Sequence, residues 1–433
     1  MTRQHVVPWL AQAPTGWEIK PLYSLGSEVK TLNRGLVESN LLSLSYGEIK
    51  RKDIEANFGL LPESFETYQI VEPGDMVFRF TDLQNDQKSL RSGLVKERGI
   101  ITNAYLGFRP KSIDSKYFNY LMRAYDILGV FYSMGSGLRQ SLNYSDVRRL
   151  PVPLPPDHEQ RRIADFLDRE TAKIDALIAK QEQLITTLDE RRQAVISKAV
   201  SKGLNPDAPM TADSVNVLGH APQHWTVKRL KYSIATSKNG VWGEEPRDDE
   251  TDIWCARIAD FDRPTRSVKQ FPRTIRSVTM SERFGRTLAR GDLIIEKSGG
   301  GDQAPVGCVV MYDYDEPAVC SNFAARLTMS NRNSSKYWTY AHAALYFQGV
   351  PWRSIKQTSG IQNLDLSSYL NEVVAFPPLA EQLEIAAYLD GATRDIDLLV
   401  EKSVATSSVL RERRAALISA AVTGKLEVTD GYS

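Results

Sequence analysis

Cysteine is scarce and isolated in this sequence. Three cysteines occur among 433 residues, and Cys255, Cys308 and Cys320 form neither a CxxC pair nor a cluster with histidine. Structural zinc sites and disulfide frameworks both need cysteines in number and in regular spacing. The sequence therefore predicts neither kind of site, and three unpaired thiols fit a reducing cytoplasm.

Long apolar runs and an excess of one charge are missing too. No stretch of about 18 apolar residues and no basic leader followed by an apolar segment occurs, so we expect a cytoplasmic protein with no membrane partner. The formal net charge is only +1, from 54 lysines and arginines against 53 aspartates and glutamates. Without a global positive field, the chain can bind nucleic acid only through local basic patches.

Catalytic and cofactor signatures are absent from the sequence as well. It contains no P-loop, HExxH, GxSxG or EF-hand pattern, and the single Gly-Ser-Gly at 135–137 lacks the third glycine of a dinucleotide or S-adenosylmethionine loop. Residues 292–297 resemble a metal-dependent nuclease motif, but Lys297 directly follows Glu296 and would point to the opposite face of a strand. We interpret 292–297 as a turn plus a strand. We expect no catalytic residue, no metal site and no cofactor in this chain.

What the sequence does contain is a long internal repeat. Five dipeptides recur without a gap at one offset of 222 residues, the difference between positions 159 and 381. They begin with Pro155-Pro156 and Glu159-Gln160 in the first copy and with Pro377-Pro378 and Glu381-Gln382 in the second. A repeat of this length indicates a duplicated domain rather than a stacked array of short units. The chain is thus predicted to be two copies of one plan, each a variable globular part followed by a long helix.

The repeated segments have the pattern of helices that pair with each other. Each Pro-Pro prevents helix before it, and Gly203 and Gly424 can end the helices. The apolar seam is predicted at Ile174, Leu177/Ile178, Leu184/Ile185, Leu188 and Val195, with Gln181 and Arg192 between them, and at Ile396, Leu399/Val400, Leu410, Arg414 and Leu417/Ile418. This heptad rhythm predicts a coiled coil whose polar positions specify its register at a cost in stability. The alternative is a pair of core helices in one large domain.

The two globular parts repeat the same order of segments. Each opens with Pro-x-x-Trp, at Trp17 and at Trp225, and the Gly-Asp at 74–75 matches the Gly-Asp at 291–292. In the first part, short β-type runs at 40–45, 75–80, 93–95 and 104–108 predict strands, and residues 115–131 predict a helix. We expect one architecture with different surface residues in the two copies.

Polar and basic residues cluster on loops at equivalent places in both copies. Arginine, lysine, asparagine and glutamine are the side chains that pair with base edges or neutralise phosphates. Any one of them alone is more often a solvated loop residue, but their recurrence in both copies favours a DNA-binding role for the group. The candidate DNA-binding residues are Arg79, Lys88, Arg91, Ser92, Arg98, Arg139 and Gln140 in the first copy and Arg257, Lys297, Ser298, Gly299, Gln303 and Gln362 in the second.

Two variable domains, each introduced by Pro-x-x-Trp and closed by a Pro-Pro-x-x-Glu-Gln helix, resemble the specificity subunit of Type I restriction–modification systems over nearly the whole chain. The resemblance implies an α+β fold class, in which two similar mixed α/β target-recognition domains are each followed by a long conserved helix. It also implies that the two helices form an antiparallel coiled coil and that the repeat is pseudo-twofold. The expected domains are target-recognition domains at 1–150 and 221–372, spacer helices at 151–203 and 373–426, a linker at 204–220 and a C-terminal tail at 427–433.

The resemblance further implies a function. A specificity subunit is not catalytic, reads the two halves of a split double-stranded DNA target, and recruits two modification subunits and the motor-nuclease restriction subunits. S-adenosylmethionine, ATP and magnesium are then expected only in those partners. The residues expected to bind subunits or to build the spacer are Glu159, Gln160, Leu167, Leu188, Glu381, Gln382, Leu389 and Leu410. The alternative is a protein-only assembly scaffold on a coiled coil, which would bind its partners but no DNA.

Overall fold

A computed structural model of the chain describes residues 13–52, 64–86, 89–134, 141–214, 216–301, 304–358 and 360–429. The chain forms two compact units, of which unit 1 comprises residues 1–182 and 405–433 and unit 2 comprises residues 183–404. Each unit therefore contains one globular part, the first half of the long helix that follows it and the second half of the other long helix. The expected division, with each whole helix as a separate spacer, differs from this arrangement.

The elements of the first half follow the predicted order. They are β1 (Glu18–Pro21), β2 (Gly26–Glu28), β3 (Leu42–Ser45), β4 (Glu48–Arg51), β5 (Gln69–Val71), β6 (Met76–Phe78), β7 (Ser92–Leu94), β8 (Gly99–Ile101), β9 (Leu106–Pro110), α1 (Ser115–Ile127), α2 (Tyr144–Val147), β10 (Pro151–Leu154) and α3 (Asp157–Lys202). The central antiparallel sheet of unit 1 has the order β2-β9-β6-β7, and α1 packs its buried face against it. The strands predicted around 40–45, 75–80, 93–95 and 104–108 are confirmed as β3, β6, β7 and β9. The predicted helix is confirmed but ends at Ile127, before a 3-10 turn (Phe131–Ser133).

The second half repeats this order with a larger sheet. Its elements are β11 (Thr226–Arg229), β12 (Ile234–Asn239), β13 (Asp252–Ala256), β14 (Phe261–Asp262), β15 (Ser267–Val268), β16 (Ile275–Ser277), α4 (Met280–Arg283), β17 (Leu293–Glu296), β18 (Ser298–Gly299), β19 (Val309–Met311), β20 (Ala318–Cys320), β21 (Ala324–Met329), α5 (Ser335–Phe347), β22 (Ile355–Thr358), β23 (Ile361–Leu364), α6 (Leu366–Leu370), β24 (Val373–Phe376) and α7 (Leu379–Val422). The main sheet of unit 2 has the order β12-β21-β17-β19-β15-β14. Among the described ranges, no helix combines the length and the apolar character needed to cross a membrane.

The Gly-Asp segment forms a matching turn in the two units. Asp75 accepts hydrogen bonds from Arg109 Nε at 2.8 Å and Nη2 at 2.6 Å, and Asp292 accepts one from Arg326 Nε at 2.8 Å. Both aspartates are almost fully buried, so the ion pair compensates for the loss of their hydration. The interpretation of 292–297 as a turn and a strand is confirmed.

In each globular part, the first strand pairs with the last strand. β1 pairs antiparallel with β10, from Glu18 opposite Leu154 to Pro21 opposite Pro151. β11 pairs with β24 in the same way in unit 2. The end of each globular part is therefore the last ladder residue before the Pro-Pro motif, a few residues beyond the expected ends at 150 and 372.

The two long helices run antiparallel where they meet within each unit. In unit 1, Asp175 pairs with Arg414 at 2.8 Å, and Glu182, later in α3, pairs with Arg411, earlier in α7, at 2.8 Å. In unit 2, Arg192 pairs with Asp397. Gly203 ends α3 with a φ of +71°, a left-handed conformation that favours glycine. The predicted antiparallel coiled coil is confirmed.

Along α3, one residue of each predicted apolar pair lies in the seam between the two long helices, and the other is exposed. Ile178 is partly buried, whereas Leu177 is 47% exposed, and Leu184 and Leu399 are similarly exposed. Alternating steps of four and three residues from Ile174 select positions 178, 181, 185, 188 and 192, which explains the choice. Buried polar residues complete the seam, namely Thr171, Arg192, Thr393, Ser403 and Ser407.

The seam assignment predicts different effects for two neighbouring substitutions. Ile174→Ala removes a side chain that is only 6% exposed and should lower the free energy of unfolding by about 2–3 kcal/mol. Leu177→Ala removes a half-exposed side chain three positions later and should cost less than about 1 kcal/mol. Urea unfolding of the full chain measures both. Equal losses would place Leu177 in the seam instead.

A buried histidine makes unit 2 sensitive to acid. His342 on α5 is fully buried, its Nδ1 lies 2.8 Å from Tyr369 Oη, and burial lowers its pKa from 6.5 to about 4. The unfolded chain therefore takes up this proton more readily than the folded chain, and stability should fall as the pH drops from 6.5 towards 4, by about 3 kcal/mol in total.

The His342→Gln variant tests this pH dependence, because glutamine keeps a polar partner for Tyr369 but does not titrate. Urea unfolding of the variant should show a weaker loss of stability between neutral pH and pH 4. The exposed His158→Gln serves as a control and should keep the original pH profile. An unchanged profile in His342→Gln would assign the acid sensitivity to other groups.

Candidate nucleic-acid interface

A surface pocket in unit 2 lies where several loops meet. It has a volume of about 300 Å³, and its lining includes Trp242, Arg257, Ile258, Ser298, Gly299 and Phe323. Trp242 follows the edge strand β12, and Phe323 lies in the turn between β20 and β21. Segments far apart in the sequence thus converge at one site, which we call the aromatic pocket.

The aromatic pocket gathers most of the candidate residues predicted for the second copy. Arg257, Ser298 and Gly299 line it directly. Lys297 lies next to them, and its Nζ donates a hydrogen bond to Asn239 Oδ1 at 2.6 Å. Burial lowers the pKa of Lys297. The sequence pattern therefore identified loops that meet in three dimensions.

Two further candidates differ in their placement. Gln362 pairs with Gly299 in the ladder between β18 and β23, so it adjoins the pocket. Its side chain is buried, and its Oε1 accepts a hydrogen bond from the Val306 N–H at 3.3 Å. The amide group therefore stabilises the loop that contains Val306 and does not face the pocket surface. Gln303 lies outside the described residues.

Sequence reasoning missed the two aromatic residues of this pocket. Trp242 is 38% exposed and Phe323 is 47% exposed, so both rings present apolar surface to the pocket. The Arg276 guanidinium lies 4.7 Å from the centroid of the Trp242 ring and holds it in place. One signal was available, because Phe323 stands where the first copy has Ala104, a small residue in the matching turn.

The charged side chains of the pocket are already paired within the protein. Arg257 Nη2 donates to Asp260 Oδ1 at 2.9 Å, and this hydrogen bond raises the pKa of Arg257. Glu296 accepts from Arg263 Nη2 at 2.7 Å. Burial nevertheless raises the pKa of Glu296, against the opposing effect of Arg263. Charge at this site is therefore locally balanced.

Unit 1 has a pocket of about 340 Å³ at the corresponding place. Its lining includes Lys30, Asn103, Tyr105, Asn143 and Tyr144. In unit 1 the edge strand β2 pairs with β9, and in unit 2 the edge strand β12 pairs with β21. Each pocket borders the turn that precedes β9 or β21. A matching hydrogen bond adjoins each of them, from the Leu142 N–H to Phe80 O at 3.0 Å and from the Leu364 N–H to Lys297 O at 2.7 Å. The two pockets thus border equivalent turns, but the other segments that line them differ.

The structure removes two of the candidate residues from the surface of unit 1. Arg91 is fully buried, and its guanidinium donates to the carbonyl oxygens of Thr81, at 3.1 Å, and of Asp86. Ser92 begins β7 and is buried as well. Neither side chain reaches the surface in this structure, because Arg91 holds the loop together from inside, and their contact with DNA stays a prediction.

The other candidates of unit 1 have mixed positions. Arg79 is half-buried after β6. Arg98 is exposed but is paired with Glu38 at 3.1 Å and with Glu72 at 2.7 Å. The remaining candidates of this copy, Lys88, Arg139 and Gln140, lie outside the described residues.

The two repeated motifs bind each other in each unit. Trp17 Nε1 donates to Glu159 Oε1 at 3.2 Å, and Trp225 Nε1 donates to Glu381 Oε2 at 2.9 Å. His224 adds a second contact to Glu381 at 2.9 Å in unit 2. The tryptophan of each Pro-x-x-Trp motif is therefore hydrogen-bonded to the first turn of the long helix that follows that globular part. This contact explains why the two motifs repeat together.

The glutamine of the helix motif is buried and hydrogen-bonded inside each unit, and its expected subunit-binding role stays a prediction. Gln160 is 1% exposed, accepts from the Asp114 N–H at 2.8 Å and donates to Pro155 O at 2.8 Å. Gln382 is equally buried and accepts from the Ser334 N–H at 2.9 Å. Each glutamine thus connects the start of its long helix to the start of α1 or α5.

The leucines expected on the spacer helices divide into two groups. Leu167 and Leu389 are fully buried in the largest core of their unit and present no surface to a partner. Leu188 is buried and Leu410 is half-buried, and both occupy seam positions, as the spacer role requires. The aspartates that follow the two core leucines also have repeated partners. These bonds run from Tyr120 Oη to Asp168 at 2.8 Å and from Tyr340 Oη to Asp390 at 2.9 Å.

Known proteins resemble this chain along most of its length. The Type I restriction modification DNA specificity domain matches residues 95–187. The type I restriction enzyme StySPI specificity subunit of Salmonella potsdam is 24% identical over 429 residues, which covers 92% of this chain and 88% of that protein. The EcoKI specificity subunit of Escherichia coli K12 is 22% identical over 428 residues, with the same coverage of 92% and 88%.

A solved structure has the same fold. A chain from a type I R-M system superposes with a TM-score of 0.66 at 17% identity, covering 96% of this chain and 99% of that chain. Within the part of the chain that the structure describes, no group of three or more histidine, cysteine, aspartate or glutamate residues is placed to hold a metal ion.

Proposed function

We propose that this chain, which is similar to the specificity subunits of type I restriction–modification systems along most of its length, reads the two halves of a split DNA target through its two globular parts. The observation that carries this proposal is the pair of pockets that border equivalent turns in units 1 and 2. Their linings differ, as is needed for two recognition domains that read different base sequences.

The chain acts in this proposal without catalytic residues or cofactors of its own. Methyl transfer and DNA cleavage belong to two modification subunits and to restriction subunits, which carry S-adenosylmethionine, ATP and magnesium, and the complex works in the cytoplasm. Apolar side chains that stay exposed on the long helices support the docking of other subunits there. They are Leu177 on α3 and Leu398, Leu399, Val404 and Val409 on α7.

A reconstitution experiment tests the proposed function. The purified full chain should transfer no methyl group from S-adenosylmethionine to duplex DNA. Addition of its cognate modification subunits should produce adenine methylation at one split sequence. Methyl transfer by the chain alone would contradict its non-catalytic role. Binding of the partner subunits without sequence-specific binding of DNA by the complex would instead identify a protein-only scaffold.

A further inference from the structure

The aromatic pocket of unit 2 carries information about which base it reads. We propose that this pocket receives the 5-methyl group of a thymine in the half-site read by unit 2. The inference rests on the proposed function, because it takes DNA as the ligand, and it deepens that function by naming a base and the side chains that select it.

Apolar side chains form the accessible part of the pocket. The Trp242 ring, the Phe323 ring and Ile258 line it, and both rings are partly exposed. Exposed rings of this size leave apolar area in contact with water, which costs about 25 cal/mol per Å² relative to burial. A ligand that covers these rings with apolar atoms therefore gains binding free energy.

The polar side chains that line the pocket are occupied by partners inside the protein. Ser298 Oγ donates to Asn363 Oδ1 at 2.6 Å, and Ser321 is almost fully buried. Arg257 and Glu296 are held by the ion pairs described above. Because these groups are engaged inside the protein, the accessible surface of the pocket is mainly apolar and favours an apolar group.

The backbone at one side of the pocket permits a close approach. Gly299 has a φ of +110°, and a Cβ at this position would meet no atom within 4 Å. Open space beside a glycine that lacks a side chain lets a bulky ligand come near the main chain.

Among the base edges in the major groove of DNA, the thymine methyl is the apolar group with a fixed position. A base edge that enters the pocket beside Gly299 would place this group against Trp242 and Phe323. The volume of about 300 Å³ is larger than one methyl group, so it accommodates the methyl-bearing edge of the base. The pocket of unit 1 differs, because Lys30, Asn103 and Asn143 contribute polar groups to its lining.

Replacement of thymine by deoxyuridine tests this inference, because it removes only the methyl group. The assembled complex of the full chain with its modification subunits is first used to select the bound sequence from a random duplex library. Each thymine in the half-site read by unit 2 is then replaced singly by deoxyuridine, and binding is measured by fluorescence anisotropy. We expect one position at which affinity falls about fourfold, the factor that corresponds to burial of one methyl group.

Two variants of the chain complete the test. Phe323→Ala should bind the thymine and the deoxyuridine duplexes equally at that position, because the surface that covers the methyl group is gone. Phe284→Ala, at an 83% exposed aromatic position in the same unit and outside the pocket lining, should keep the fourfold difference. Phe323 is half-exposed, so its replacement leaves the core of unit 2 intact.

The possible outcomes separate failure of the thymine inference from failure of the proposed function. Sequence-specific binding with no effect of deoxyuridine, or a half-site without thymine, would overturn the inference and leave the proposed function standing. A fourfold difference that persists in Phe323→Ala would place the methyl group elsewhere, which also overturns it. A loss of affinity in Phe323→Ala without any thymine preference would indicate stacking on an unpaired base. Absence of sequence-specific binding would contradict the proposed function itself.

Discussion

Exchange of one globular part should change one half of the DNA target and leave the other half unaltered. Replacement of residues 226–376 by the corresponding domain of a family member with another target should give a methylated sequence with one new half. Each globular part has its own core and its own closing ladder, so the exchange leaves unit 1 intact. Affinity for the original target should fall by about a thousandfold or more, the usual margin between specific and non-specific binding.

The boundaries of this exchange follow from the ladder between β11 and β24. Thr226 lies opposite Phe376 and Arg229 lies opposite Val373, so the two strands must come from the same protein. An exchange that stopped at 372 would separate them and should lower the yield of folded protein. The matched exchange in the first half spans 18–154, from β1 to β10. A change in both halves of the methylated sequence after either exchange would contradict independent reading.

Substitution of either motif glutamine should destabilise the protein rather than weaken only its subunit contacts. Gln160→Leu leaves the Asp114 N–H and Pro155 O without their partners, and Gln382→Leu does the same to the Ser334 N–H and to Pro377 O. A buried group left without a hydrogen bond costs about 1–3 kcal/mol. With two such groups, each substitution should therefore lower the free energy of unfolding by about 2–6 kcal/mol.

Urea unfolding of the full chain measures the effect of these substitutions, and the two should agree because the hydrogen bonds repeat. Gln183→Leu on the exposed side of α3 is the control and should change stability by less than about 0.5 kcal/mol. Normal stability combined with a loss of affinity for the modification subunits would return the glutamines to the subunit-binding role expected from the sequence.

The large-scale organisation of the fold was predictable because the same motifs occur in both halves of the sequence. The Pro-Pro-x-x-Glu-Gln motif, the matching offset and the heptad spacing all carry local information, and the structure confirms the helices and their antiparallel pairing. The choice between Leu177 and Ile178 depended on the phase of the heptad over several turns. A doublet read by itself leaves that choice open.

The candidate site was less predictable, since polarity in a sequence does not show which way a side chain points. Arg91 stands in a hydrophilic stretch, yet its guanidinium is buried among carbonyl oxygens of its own loop. Trp242 and Phe323 are aromatic, and burial is the ordinary expectation for such residues, yet both stay partly exposed. The division of the chain into units that each share both long helices also depends on contacts between residues far apart in sequence.

A map of every methylated adenine in DNA modified by the assembled complex tests the central claim most directly. The account predicts one split sequence, with two specified halves and an unspecified gap between them, because two separate globular parts read DNA. Single-molecule sequencing of the modified DNA reports the whole sequence at once. A continuous target without a gap, or methylation without sequence preference, would contradict the account.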